Sequence, residues 1–321
     1  MQSHSFDAAL VLEPLEALAQ PQPLALSALL EPPATRELPA LKQLTFSGHT
    51  SPAYANMVGP YGGLSAAVLL QAVLKHPALL GAPVSLTINF CAGMADGAYA
   101  VHAQPMRTNR STQHWVVSLT QLNAQGDADT VLTGTVITAV RRSTWGFNES
   151  PLPNVPSPAN VPLETRVPFL HFLKCYELRF VTGAVPNSTN ATNDANGRGA
   201  DAARNAVAGP PPDAPGNTLT QLWVRDNPPR PLDFLSLVAM VDIFIPRIFL
   251  RRAKRVPLGT VTMTVYFHAD AALLAKSGTG YLLGQARGQA IHDGYFDHNA
   301  QMWSEQGALL ATSQQLVYFR E

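Results

Sequence analysis

Twice along this chain an apolar stretch of helix-forming composition gives way to a meander of strand-forming segments. That order restricts the fold more than any other feature. A helix apolar on all sides needs a surface to cover it, and the strands that follow supply one. In the first half the helix is expected over residues 64–76, carrying Ala66, Ala67, Val68, Leu69, Leu70, Ala72 and Leu74. Gly62-Gly63 leads into it and Pro77 stops it. Strands are expected over 84–90, 98–108, 113–122 and 130–140, with a turn at Gln125-Gly126. In the second half a strand over 219–225 precedes an apolar helix over 232–250, broken near Pro246. Strands over 260–268, 280–291, 295–305 and 308–319 follow, and Gln306-Gly307 makes the last turn.

A chain of 321 residues exceeds one ordinary core and suits two. The spacing predicts an N-terminal unit over 1–150 and a C-terminal unit over 219–321. Between them, 151–218 holds a proline-rich connector (151–168), a strand at 172–181 and a mobile loop at 183–218. The opening residues suggest a strand near 6–12, then an irregular excursion to about 50.

Lys plus Arg and Asp plus Glu number 22 each, which removes the electrostatic reason to expect nucleic acid or an anionic membrane as partner. The apolar run 234–250 is short for a membrane span and carries Asp242 and Pro246, so no span is expected. The first residues lack a basic n-region, which predicts a cytoplasmic protein. Cys91 and Cys175 fall in strand-like stretches and read as buried free thiols. His114, His268 and His292 form no ligand spacing, so neither metal nor cofactor is expected. No Gly-x-Ser-x-Gly elbow occurs, which argues against a serine hydrolase.

Asp242 is the most informative single residue. It stands among Val238, Ala239, Met240, Val241, Ile243, Phe244 and Ile245, where a helix has no polar face. A carboxylate there should be substantially buried and should have donors nearby. Either it is a charge satisfied by Arg225, Arg247 or a cap, or it does chemistry.

Gly62-Gly63, Leu222-Trp223-Val224-Arg225, Asp242, 260–268 ending in Tyr266-Phe267-His268, and 307–315 carry a resemblance. With them the second half resembles the C-terminal half of acyl-CoA thioesterase II, and nearly the whole chain is similar to the TesB-like double-hotdog thioesterases. The resemblance implies an α+β double hotdog, two antiparallel sheets each wrapped around a helix. It implies an acyl-CoA substrate, a homodimer, and a water held by Asp242, Thr260 and Gln315, with Asp242 as general base. An amide at Gly62 or Gly63 would meet the oxyanion. The neighbouring Gln314 is a rival for Gln315, because alternation lets only one of them face the site. Arg107 and Arg110, near Trp115, either meet CoA phosphates or pack on an aromatic face. Aligning the two halves sets Pro83 opposite Thr260 and Ile137 opposite Gln315, which predicts one site per chain. The competing functions are a non-catalytic acyl-CoA or lipid binder and a hotdog hydratase.

Overall fold

The computed structural model describes residues 3–15, 42–165, 170–183, 217–252 and 256–321. The expected excursion and loop therefore lie largely outside the described residues, at 16–41 and 184–216.

The first half runs α1 (Ser5–Ala9), β1 (Glu13–Pro14), β2 (Leu44–His49), α2 (Gly62–Leu74), β3 (Ala82–Phe90), β4 (Ala98–Thr108), β5 (Thr112–Leu122) and β6 (Ala128–Ala139). The second half runs β7 (Tyr176–Thr182), β8 (Thr220–Asp226), α3 (Phe234–Met240), β9 (Leu258–Phe267), α4 (Ala271–Ser277), β10 (Leu282–Arg287), β11 (Ile291–His292), β12 (Tyr295–Ser304) and β13 (Leu309–Phe319). The strands of both halves form one antiparallel sheet in the order β1-β2-β4-β5-β6-β3-β9-β13-β12-β10-β8-β7, with β11 paired to β12. The order reads the same outward from its middle. β3, β6, β5, β4 and β2 on one side correspond to β9, β13, β12, β10 and β8 on the other. This is the double hotdog, and α2 and α3 are its two central helices.

The halves join along β3 and β9, where Thr87 pairs with Thr264 and their hydroxyls lie 3.0 Å apart. The two helices also meet. The Tyr61 hydroxyl, just before α2, donates to the Ala239 carbonyl of α3 at 2.5 Å. A Cβ on Gly63 would lie 2.4 Å from that carbonyl oxygen, so glycine is what lets the backbones approach. The apolar character of α2 is explained by its position: Ala66, Ala67, Leu69, Leu70, Ala72 and Val73 are fully buried. The two expected hairpin turns have the same backbone, with Gly126 at φ +87° and Gly307 at φ +89°, values open to glycine at little cost.

Several expectations need correction. Residues 6–12 do not begin as a strand. Ser5–Ala9 is a helical turn capped by His4, because Phe6 and Ala9 share a buried face at helical spacing. Two strands of the first half, β1 and β2, lie within the stretch read as irregular. The strand at 172–181 starts as a 3-10 turn over His171–Cys175. Residues 280–291 break after Arg287, and an unforeseen helix, α4, is capped by Asp270. The helix at 232–250 ends at Met240, so Asp242 lies in the turn beyond it rather than within it. Cys175 is buried, but Cys91 is exposed just past the end of β3.

Candidate active site

The short α3 brings Asp242 into place. Asp233 caps it, its carboxylate accepting the Ser236 N–H at 2.8 Å. After Met240 the chain tightens: the Asp242 N–H donates to the Ala239 carbonyl and the Ile243 N–H to the Met240 carbonyl, both at 3.2 Å. The Asp242 carboxylate then faces β13 and the N-terminus of α2. Its Oδ1 accepts the Gln315 side-chain amide at 2.9 Å, and the Gly63 N–H donates to the carboxylate as well. Water still reaches part of the residue, yet protein encloses it closely. Burial raises the Asp242 carboxyl to about 7, opposed by the bonds from Gln315 and Gly63. Neither arginine considered as a partner is engaged with it. Arg225 pairs with Glu177 at 2.8 Å. Arg247, fully buried, donates to the carbonyls of Thr218 and Ile245 and to the Thr220 hydroxyl.

Gln315 is 4% exposed and points inward, while Gln314 is exposed, so the pleat selects Gln315. Thr260 needed more than alternation. Met263 of β9 is buried and pairs with Gln315, so a regular strand would turn Thr260 to the opposite face. A register shift intervenes. Leu316 pairs with Thr262 but Val317 pairs with Thr260, leaving Val261 as an extra residue. The shift turns Thr260 to the inner face, and its hydroxyl donates to Gln315 Oε1 at 3.5 Å. Asp242, Gln315 and Thr260 thus form one connected chain of side chains.

Gly62 faces the same carboxylate. A Cβ there would lie 2.9 Å from Asp242 Oδ2 and 3.5 Å from the Phe90 ring, so glycine preserves the space in front of the oxygen. Gly62 is the first residue of α2, and its N–H has no acceptor within the helix. Arg107 and Arg110 are not brought to this place. They stand at the β4–β5 hairpin, where the ladder runs through Thr112 and Ala139 to Ala82, the opposite end of β3 from Phe90. Arg107 is bonded to Asn109. Trp115 is buried with its N–H on Thr138.

The first half has the same architecture without the same side chains. Its ladder also shifts register, between Pro83 and Ser85, so Pro83 is the counterpart of Thr260. Pairing through Leu86 makes Val136, not Ile137, the counterpart of Gln315. The residue as far past the α2 cap as Asp242 is past the α3 cap is Leu70. A second buried polar group, Gln113, sits at the other end of α2. Its amide accepts from the Leu80 N–H and donates to the Ala78 carbonyl and the Thr108 hydroxyl, which uses its bonding capacity.

Models of the acyl-CoA thioesterase N-terminal and C-terminal domains match residues 51–139 and 158–319. The chain belongs to the acyl-CoA thioesterase family. A hot dog fold protein from Alicyclobacillus acidocaldarius, described as conserved and of unknown function, is 34% identical. The match covers 100% of this chain and 99% of that one, with a TM-score of 0.78. An acyl-CoA thioesterase II from Mycobacterium marinum shares the fold at 15% identity, 98% coverage of each chain and a TM-score of 0.64. A tesB protein from Mycobacterium avium subspecies paratuberculosis does so at 17% identity and a TM-score of 0.63, covering 86% of this chain and 93% of that one. Comparison with curated protein sequences gave no match. Among the described residues no helix is long and apolar enough to cross a membrane, and no group of acidic, His or Cys side chains is placed to hold a metal ion.

Proposed function

We propose that this chain hydrolyses acyl-CoA thioesters with Asp242 as general base. The observation that carries the reading is a carboxylate raised to about 7 in an apolar setting, held by the Gln315 amide and reached by solvent. A base with that affinity for a proton is half-ionised near neutral pH and strong enough to activate water. Asp242 takes a proton as the water oxygen attacks the thioester carbon. Gln315 fixes the carboxylate, and Thr260 with the Gln315 carbonyl orients the water. The oxyanion falls to the Gly62 N–H at the start of α2, since the Gly63 N–H is committed to Asp242. Collapse breaks the carbon–sulfur bond, and the departing thiolate takes the proton back from Asp242, giving acid and free CoA.

Arg107, Arg110 and Gln113 take no part in these proposed steps. Apolar counterparts at Leu70, Pro83 and Val136 argue for one site per chain. Thiol release from acyl-CoAs of graded length, followed with DTNB, tests it. Turnover supports hydrolysis, whereas saturable binding without thiol release identifies a non-catalytic binder.

A further inference from the structure

Two polar atoms on the floor beside Gln315 have no partner. His298 Nε2 and Ser313 Oγ are both closed to solvent and bonded to nothing in the protein, in residues 3% and 5% exposed. Both side chains face the interior that holds Asp242. His298 on β12 is the ladder partner of Gln315 on β13, and Ser313 is two residues along β13 on the same face. Diagonal neighbours of this kind have Cβ atoms about 7 Å apart, so one small group can touch both. Apart from Gln315 and the Arg247 guanidinium near His298, their neighbours include apolar groups: Ala300, Val265 and the Phe244 ring, which meets the imidazole edge-on at 5.5 Å. Unpartnered buried polar groups are costly and are retained where a ligand or water completes them.

We infer that His298 and Ser313 bind an oxygen substituent, hydroxyl or oxo, near the thioester end of the acyl chain. The inference rests on the proposed hydrolase site, since it is that site's water that places the carbonyl beside Gln315. Neighbouring strands lie about 4.8 Å apart, so a group bonded to His298 is a few ångströms from that carbonyl, which corresponds to the third carbon of the chain. The chemistry of the pair suits the task. Burial and the nearby Arg247 guanidinium hold His298 well below its ordinary pKa. It therefore stays neutral, with one nitrogen donating and the other accepting. The Ser313 hydroxyl does both. Neither polar atom is open to solvent, so neighbouring side chains must shift for a chain to reach them.

The test compares 3-hydroxybutyryl-CoA with butyryl-CoA. A site built to bond an oxygen rejects the analogue lacking it, so wild type should favour the hydroxy substrate in kcat/KM by ~10-fold or more. Ser313→Ala and His298→Leu should collapse that ratio toward one while butyryl-CoA turnover persists, which also shows that the variants fold. A wild-type ratio of one or below overturns the inference, and so does a ratio unmoved in Ser313→Ala, the outcome expected if a buried water fills the gap. If wild type hydrolyses neither thioester, the hydrolase reading fails separately. The ratio of the two dissociation constants, by calorimetry, then decides the inference on the same criterion.

Discussion

Replacing Asp242 by Asn separates chemistry from stability, because the two respond in opposite directions. The carboxyl moves from its ordinary 3.8 to about 7 on folding, chiefly by burial. Each pH unit is worth ~1.4 kcal/mol, so the ionised side chain costs the fold up to about 4 kcal/mol above pH 7. The figure is a ceiling, since Asp242 keeps some contact with solvent. The folded state holds a proton that the unfolded chain has lost between pH 3.8 and 7. Stability therefore falls as pH rises through that window and levels off above it. In Asp242→Asn this part of the slope vanishes, and the variant should be more stable than wild type at pH 8. Its turnover should fall ~10²–10⁴-fold, the range for a lost general base. Wild-type kcat/KM should rise with pH through about 7 as Asp242 ionises. Asp226, raised to about 6 by burial, adds a slope of its own. The signature of Asp242 is thus the difference between wild type and variant in urea titrations at pH 5 and pH 8. If that difference is the same at both pH values, the burial argument is wrong. If the variant keeps turnover within tenfold of wild type, Asp242 is not the base.

The paired glycines of α2 should respond differently to a methyl group. Gly62→Ala sets a Cβ 2.9 Å from Asp242 Oδ2, a side-chain rather than a backbone atom, so kcat should drop more than tenfold, with a melting temperature close to wild type. Gly63→Ala sets it 2.4 Å from the Ala239 carbonyl, forcing α2 and α3 apart at a cost of ~1–3 kcal/mol in denaturant unfolding. Equal stability for the two variants would contradict that contact. Arg247→Met strips partners from the carbonyls of Thr218 and Ile245, and urea unfolding should show a loss of ~3 kcal/mol. A neutral result would mean water replaces the guanidinium without penalty.

Residue pattern alone carried the repeat of helix and meander and the positions of most strands, while Asp242, Thr260 and Gln315 were named together by the family resemblance and are brought into contact by the fold. Asp242 was legible because a carboxylate flanked by apolar residues conflicts with its setting, and such conflicts survive in any fold that buries the segment. What pattern alone missed has local physical causes. Apolar composition persists past Met240 and so predicts a helix to 250, while hydrogen bonding changes there to the tighter turn that aims Asp242. Alternation would have turned Thr260 away from Gln315, and only the pairing of Val317 with Thr260 reveals the extra residue that turns it back. The same ladder moves the Gln315 counterpart from Ile137 to Val136. Strand order, which charge does not reveal, sets Arg107 and Arg110 at the far end of β3 from Phe90. His298 and Ser313 carried no signal, since an inward polar residue on a strand looks ordinary until its neighbours are known. Residue type and period are properties of the chain. Register, and which buried atom lacks a partner, belong to the sheet, because they depend on strands distant in sequence.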